Sequence, residues 1–195
     1  MDDQLNWFDV FAIEGGSSSS DIALSDDGSI YICGWAADDN ESFLAKYSNA
    51  GELEWTQLFE GGLLDYASSI EIRGDTILVS GRTSGVAEFS LDGIRKWDQY
   101  FGESGDYGNG REITISSDGH VYMAGDSWSQ DDPSSIFVIK HAEDGAIVWD
   151  SSLYLEGTAE TNGVAVDNES NVYVTGGVKS QECKCFNAAV RCNYE

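Results

Sequence analysis

Short stretches of alternating hydrophobic and polar residues recur along the whole chain in a fixed order. One of them closes on a glycine and reads SIYICG, TILVSG, HVYMAG and NVYVTG in its four copies. Another alternating run precedes each copy, and two more short runs follow it. Alternation of this kind predicts half-buried β-strands, whereas no sustained apolar period of 3.6 residues predicts a helix. The pattern therefore predicts an all-β chain built from short strands.

Turn sequences separate these strands and divide the chain into repeating units. The first two strands of a unit are joined by turns such as SDDGS and SSDGH, and the last two by SNAGE, SLDG and AEDGA. Asp-Gly between alternating runs is the strongest short-range signal of a β-hairpin. The closing glycines, Gly34, Gly81, Gly125 and Gly176, recur at intervals of 44 to 51 residues. Four strands per unit at that period predict the blades of a β-propeller.

Three longer segments carry a resemblance to a known family. They are GGLLDYASSIEI, DNESNVYVTGG and FLAKYSNAGELEW, and they resemble the bacterial β-propeller repeat of the SBBP type. The resemblance covers almost the whole chain in four copies, and it implies a fold rather than an activity. Rings of that family commonly have more than four blades, so the resemblance leaves open whether this ring closes within one chain.

The fourth strand of each unit carries a tryptophan, and its spacing predicts how the chain ends are used. In three units the tryptophan follows the charged residue of the third strand by nine positions. The last unit has Arg191 but no tryptophan after it, whereas Trp7 stands near the start of the chain with no unit before it. We therefore expect the N-terminal strand to supply the outer strand of the last blade.

This pairing predicts a four-bladed β-propeller of four-stranded antiparallel blades. The whole chain, 1–195, is one domain in this interpretation, with blade repeats at approximately 17–59, 60–101, 102–153, and 154–195 plus 1–16. The alternative keeps the pairing but places it between molecules, which gives a strand-exchanged dimer of eight blades or an open filament.

The strongly negative charge of the chain argues against some classes of binding partner. The net charge is −25, from 35 acidic and 10 basic residues, whereas binding to phosphate backbones needs a basic surface. We therefore expect no nucleic acid as a partner. No apolar run has the length of a membrane span, and MDDQLNW contains no visible signal peptide. We expect an extracellular, cell-surface or virion-borne protein.

Catalytic and metal-binding patterns are scarce. The chain has two histidines and lacks the GxSxG, phosphate-loop and HExxH motifs, so we expect no enzymatic activity and no cofactor. Calcium is the cation to consider, because Asp126, Asp131 and Asp132 and the loop at 38–41 offer carboxylate oxygens. Neither group has EF-hand spacing, and solvated loops are the favoured interpretation.

Three of the four cysteines lie close together near the end of the chain. They are Cys183, Cys185 and Cys192, whereas Cys33 stands alone beside a closing glycine. A disulfide from Cys183 or Cys185 to Cys192 is the favoured interpretation in an oxidising compartment. Reduced cysteines are the second alternative and a metal site is the third, since the spacing is not a standard one for zinc. Cys33 is expected to be a buried thiol.

The loops differ most between repeats, and they carry the candidate binding residues. Trp35, Arg82, Asp126 and Trp128 follow the closing glycines, and Tyr66, Asp106 and Tyr107 follow the tryptophan strands. Loops on a rigid scaffold are common sites of binding. Aromatic rings beside acids and an arginine suit a glycan or a protein partner. We expect a non-enzymatic interaction or structural module, with a lectin-like, glycan-binding propeller as the alternative.

Overall fold

Fifteen β-strands in four antiparallel sheets make up the described part of the chain. The computed structural model describes residues 9–11, 13–36, 41–59, 65–101, 107–128, 133–179 and 186–192, and of Tyr107 and 186–192 it describes the backbone only. No helical segment in these ranges has the length and hydrophobicity that crossing a membrane requires. The all-β prediction is confirmed.

Each sheet is a meander in which consecutive strands pair. The first sheet contains β1 (Ser17–Leu24), β2 (Ile30–Ala36), β3 (Glu41–Tyr47) and β4 (Leu53–Phe59). The second contains β5 (Ala67–Arg73), β6 (Thr76–Gly81), β7 (Gly85–Ser90) and β8 (Arg95–Tyr100). The third contains β9 (Tyr107–Ile115), β10 (Val121–Trp128), β11 (Ser135–His141) and β12 (Ile147–Tyr154). The fourth contains β13 (Thr158–Val166), β14 (Val172–Lys179) and β15 (Phe186–Cys192).

The hairpin turns form where the sequence predicts them. Five turn glycines have φ between 80° and 87°, a region that side-chain-bearing residues rarely adopt: Gly28, Gly51, Gly93, Gly119 and Gly145. Aspartates complete some of these turns by accepting hydrogen bonds from the turn itself. Asp27 accepts from the hydroxyl of Ser25 at 2.6 Å and from the backbone N–H of Ser29 at 2.9 Å, and these bonds lower the pKa of Asp27 to about 2.

The sheets pack face to face in chain order, and a hydrophobic cluster fills each junction. Tyr31 and Leu44 of the first sheet pack against Ile70 and Phe89 of the second. Corresponding clusters join the second sheet to the third and the third to the fourth. The first strands of successive sheets, β1, β5, β9 and β13, contact one another in the same order, so they lie nearest the common axis.

The tryptophan strands are the outer strands, as predicted. Trp55, Trp97 and Trp149 lie on β4, β8 and β12, and each packs at the junction with the following sheet. Trp7 lies outside the described residues, so the predicted closure of the last blade stays a prediction. Among the described strands the fourth sheet has three members, and no sheet closes on itself. No hydrophobic cluster of the described residues joins the fourth sheet to the first.

Candidate functional site

A cavity of about 510 Å³ opens near the axis, where residues of all four sheets meet. Two aromatic rings, two arginines and several small polar groups line it: Ser20, Trp35, Tyr66, Ala67, Ser68, Arg82, Asn109, Gly110, Arg111, Thr161 and Asn162. None of these described lining residues is acidic, although the chain has 35 acidic and 10 basic residues. The described lining residues therefore carry no carboxylate, unlike the chain as a whole.

Four β-bulges, one per sheet, bring side chains to this cavity. In each first strand one residue is skipped in the pairing with the second strand: Ser20, Ser68, Arg111 and Asn162. All four skipped residues line the cavity. A bulge adds a residue to one strand and re-aims its side chain, and bulges often lie beside binding sites. The repeat thus places one equivalent side chain per sheet around the axis.

The closing glycines face these bulges across the ladder. A Cβ added at Gly125 would overlap the carbonyl oxygen of Asn109, and one added at Gly34 or Gly176 would overlap a backbone carbonyl of its own first strand. Gly81 is buried at the same register position, opposite Ala67. All four closing glycines are buried and occupy equivalent register positions. Close approach of the bulged strand explains why a side chain is avoided there.

A buried aspartate orders the polar side of the cavity. Asp126 is 2% exposed and accepts hydrogen bonds from four groups. The Nε and Nη2 of Arg111 lie 2.8 and 3.4 Å from its oxygens, and the Nδ2 of Asn109 lies at 3.1 Å. The backbone N–H of Thr161, in the fourth sheet, donates to it at 3.0 Å. Asp126 therefore holds side chains of the third sheet and the backbone of the fourth in place.

Arg82 links this network to the aromatic side of the cavity. Its Nε donates to the Oδ1 of Asn109 at 3.0 Å, and its guanidinium lies 5.4 Å from the centre of the Tyr66 ring. The Tyr66 ring in turn lies 5.6 Å from the ring of Trp35, with 56° between the planes. Arg82 is exposed and lines the cavity, so its remaining N–H donors are accessible to a ligand. Two inclined rings and an arginine thus form one continuous wall.

The backbone around Tyr66 is held in an uncommon conformation. Tyr66 has a φ of 55°, which non-glycine residues adopt in only a few per cent of cases. The N–H of Arg82 donates to the carbonyl oxygen of Asp65 at 2.8 Å, so the two loops are fastened together beside the cavity. Such conformations concentrate at functional sites, because the surrounding structure must offset their cost.

Carboxyl groups lie further along the first strands, beyond the lining residues. Burial, followed by the nearby charges of Asp21 and Glu71, raises the pKa of Glu112 to about 6. Burial and Asp21 also raise the pKa of Glu71. Asp21 accepts hydrogen bonds across the junction from the N–H of Ile70 at 2.9 Å and from the hydroxyl of Ser69 at 3.2 Å. Within the described ranges, no three metal-ligating side chains come together as a metal site.

Four of the predicted binding residues meet at this cavity. Trp35, Tyr66 and Arg82 line it, and Asp126 supports it from β10 rather than from a loop, because that strand runs on to Trp128. Trp128 is exposed and lies apart, in a groove with Pro133 and Leu155. Tyr107 begins β9, and Asp106 lies outside the described residues.

The predicted cysteine and calcium sites fall mostly on residues that the structure does not describe. Cys183 and Cys185 lie outside the described residues, as do Asp131, Asp132 and 38–40, and of Cys192 only the backbone in β15 is described. Cys33 is a free, fully buried thiol, as predicted, and burial raises its pKa.

Sequence reasoning missed Arg111 and Asn109, which form half of the polar network. A positional signal exists for Arg111. It precedes its closing glycine by 14 residues, as Ser20 and Asn162 precede theirs, and Ser68 precedes Gly81 by 13 because its hairpin turn is shorter. An alignment of the four repeats on their closing glycines, with one gap in the shorter turn of the second repeat, would have placed Ser20, Ser68, Arg111 and Asn162 at equivalent positions.

Comparison with known structures identifies the architecture. The chain superposes on an ulvan lyase of polysaccharide lyase family PL25 with a TM-score of 0.61, at 9% identity, covering 90% of this chain and 52% of that one. It superposes on the gluconolactonase XC5397 from Xanthomonas campestris with a TM-score of 0.54, at 13% identity, covering 93% and 60%. For the Dos1 propeller the TM-score is 0.53 at 13% identity, covering 87% and 44%. The fold is a β-propeller.

The likeness concerns the fold alone at these identities. The chain spans between 44% and 60% of the length of these three structures, so the propeller described here matches only part of each. No family model matches the chain, and no curated protein matches it by sequence. The resemblance to SBBP-type repeats therefore stays a prediction.

Proposed function

We propose that this propeller is a non-enzymatic binding module whose ligand is an acidic saccharide held in the axial cavity. The observation that carries the proposal is the lining itself: two arginines, two aromatic rings and no described carboxylate, in a chain of net charge −25. We also propose that the chain belongs to the SBBP-type repeat family, which its repeats resemble. A saccharide ligand fits the expected extracellular, cell-surface or virion-borne location.

The arginines supply selectivity for a carboxylate or a sulfate group. A guanidinium presents several N–H donors in one plane and pairs well with such planar or tetrahedral anions. Arg111 is directed by Asp126 and Arg82 by Asn109, so both reach the cavity already oriented. Little side-chain entropy is then lost when the ligand binds.

The rings supply the apolar contact that a sugar requires. The Trp35 and Tyr66 rings are inclined to each other and offer faces against which the C–H groups of a pyranose can pack. Ser20 and Asn162, both exposed at bulges, offer hydroxyl and amide groups to the sugar hydroxyls. The ulvan lyase of similar fold is bound to -[GlcA(1-4)Rha3S]-, an acidic saccharide, which supports the compatibility of the architecture with such a ligand.

Calorimetric titration with oligosaccharides of uronic acids, against neutral oligosaccharides of equal length, tests the proposal. We expect binding of the acidic series alone. Arg82→Gln should weaken it roughly tenfold to a hundredfold, the value of a charge-assisted hydrogen bond. Lys96→Gln removes the same charge from the outer strand β8 and should change affinity by less than about twofold.

Two results would contradict the proposal. One is equal weakening by Arg82→Gln and Lys96→Gln, because binding would then depend on net charge rather than on the cavity. The other is recovery of shortened oligosaccharides by mass spectrometry after incubation with the protein, which would show an enzyme.

A further inference from the structure

The fourth sheet carries an exposed face whose equivalents are buried at every formed junction. The residues that precede the closing glycine by three positions are Tyr31, Leu78 and Tyr122 in the first three sheets, and each is at most 1% exposed. In the fourth sheet this residue is Tyr173, which is 40% exposed. In the first three sheets this position packs against the following sheet, whereas in the fourth sheet it is open to solvent.

The first sheet carries the complementary exposed face. Ile22 on β1 is 59% exposed, whereas its equivalents Ile70 and Ile113 are buried against the preceding sheet. Leu24, two residues further along the same strand, is also exposed. An exposed pair of large aliphatic side chains on the innermost strand is costly in water.

A groove of about 290 Å³ on this face is lined in part by Ile22, Ile30, Ile32 and Tyr47. Their equivalents in the second sheet are Ile70, Ile77, Val79 and Phe89, and these are the residues that form a cluster with Tyr31 of the first sheet. The groove on the first sheet is thus as hydrophobic as the surface of the second sheet against which Tyr31 packs.

The N-terminal segment already occupies part of a preceding sheet's position. The ring of Phe11 lies 5.4 Å from that of Phe43, just as Phe101 at the end of β8 lies 5.5 Å from Phe137 in the next sheet. Phe11 therefore packs on the first sheet as the outer strand of a preceding sheet does. A sheet that docks beside Phe11 then needs to supply only three inner strands. Three strands, β13, β14 and β15, are described in the fourth sheet.

We propose that the fourth sheet of a second copy of this chain docks on this face, with Tyr173 entering the groove beside Phe11. The two faces lie at opposite ends of the row of sheets, so two copies joined head to tail form two such junctions and close into a ring of eight sheets. This inference is independent of the proposed ligand.

Light scattering after size-exclusion chromatography of the full chain tests the proposal. About 0.3 M salt should be present to screen the repulsion between two acidic copies. We expect a mass twice the 21.2 kDa of one chain. Ile22→Lys and Tyr173→Asp each place a charge in a desolvated contact, so each alone should weaken dimerisation at least about tenfold. Leu58→Lys, at an exposed site on the outer strand β4, is the matched control and should remain dimeric.

Mixing the two interface variants provides the decisive measurement. One junction of a mixed pair joins unaltered faces, and the other brings the introduced lysine and aspartate together, so the equimolar mixture should regain the dimer mass. Circular dichroism of each variant confirms that it is folded. The proposal is overturned by a wild-type monomer at all concentrations, by masses that grow beyond the dimer, or by a dimer that neither variant weakens.

Discussion

Replacing Gly125 with alanine tests the close approach of strands that shapes the cavity. The added Cβ would overlap the carbonyl oxygen of Asn109 and lie 2.9 Å from the Cε1 of Phe137. The first is a backbone atom beside the bulge and the second belongs to a buried ring, so neither yields easily. Overpacking costs about 1–3 kcal/mol, and we place this variant at the upper end, about 3 kcal/mol. In a chain of this length that lowers the Tm by roughly 6–12 °C.

Urea and thermal denaturation, followed by tryptophan fluorescence and circular dichroism, measure the loss. Gly163→Ala is the matched control, because its Cβ would meet only the Cγ2 of Thr175 at 3.3 Å. We expect the control to change the free energy of unfolding by less than about 1 kcal/mol. If Gly125→Ala proved as stable as the wild type, or no less stable than the control, the argument from close approach would be refuted.

Two further predictions concern ionised groups. Burial raises the pKa of Glu112 to about 6, so its ionised form is disfavoured in the folded protein. Glu112→Gln should therefore raise the free energy of unfolding by about 1 kcal/mol at pH 7.5, allowing for the partial exposure of this side chain. The gain should vanish below about pH 4.5, where wild-type Glu112 is protonated in both the folded and the unfolded state. Urea titrations at both pH values check this prediction, and no gain at pH 7.5 would contradict it. Arg73→Ala should cost about 2–4 kcal/mol in the same assay, because it removes an ion-pair partner of Glu88, which is 5% exposed. Lys179→Ala breaks an ion pair with Glu160 in which both side chains are exposed, so it should cost less than about 1 kcal/mol. Equal losses in the two variants would count against the burial argument.

The strands were predictable because their signals are local. Alternation, Asp-Gly turns and the closing glycines each depend on a few neighbouring residues, and every formed junction repeats the same contacts. The tryptophans of the fourth strands behave likewise: Trp55 packs at its junction as Trp97 and Trp149 pack at theirs. Closure of the ring is different, because it depends on curvature accumulated over four sheets, which no single repeat encodes.

The site was only partly predictable, because it depends on departures from the repeat. A bulge breaks the alternation at Arg111, so a pattern of strict two-residue period assigns that side chain to the wrong face. Asp126 was expected on a loop, but β10 continues past its glycine, and the aspartate is buried under the side chains that it orients. Trp35 and Arg82 were found because they directly follow the closing glycines.

The bulges also determine which positions of the propeller can accept substitutions without a change in strand pairing. A bulge residue is left out of the pairing between its strands, so its side chain can be exchanged without altering the register of the sheet. The four repeats already differ at this position, which holds Ser20, Ser68, Arg111 and Asn162. Each repeat thus offers one position at which a new ligand contact can evolve on its own. Under the proposed function, ligand specificity can therefore change through substitutions in one blade, while the neighbouring blades keep the protein folded.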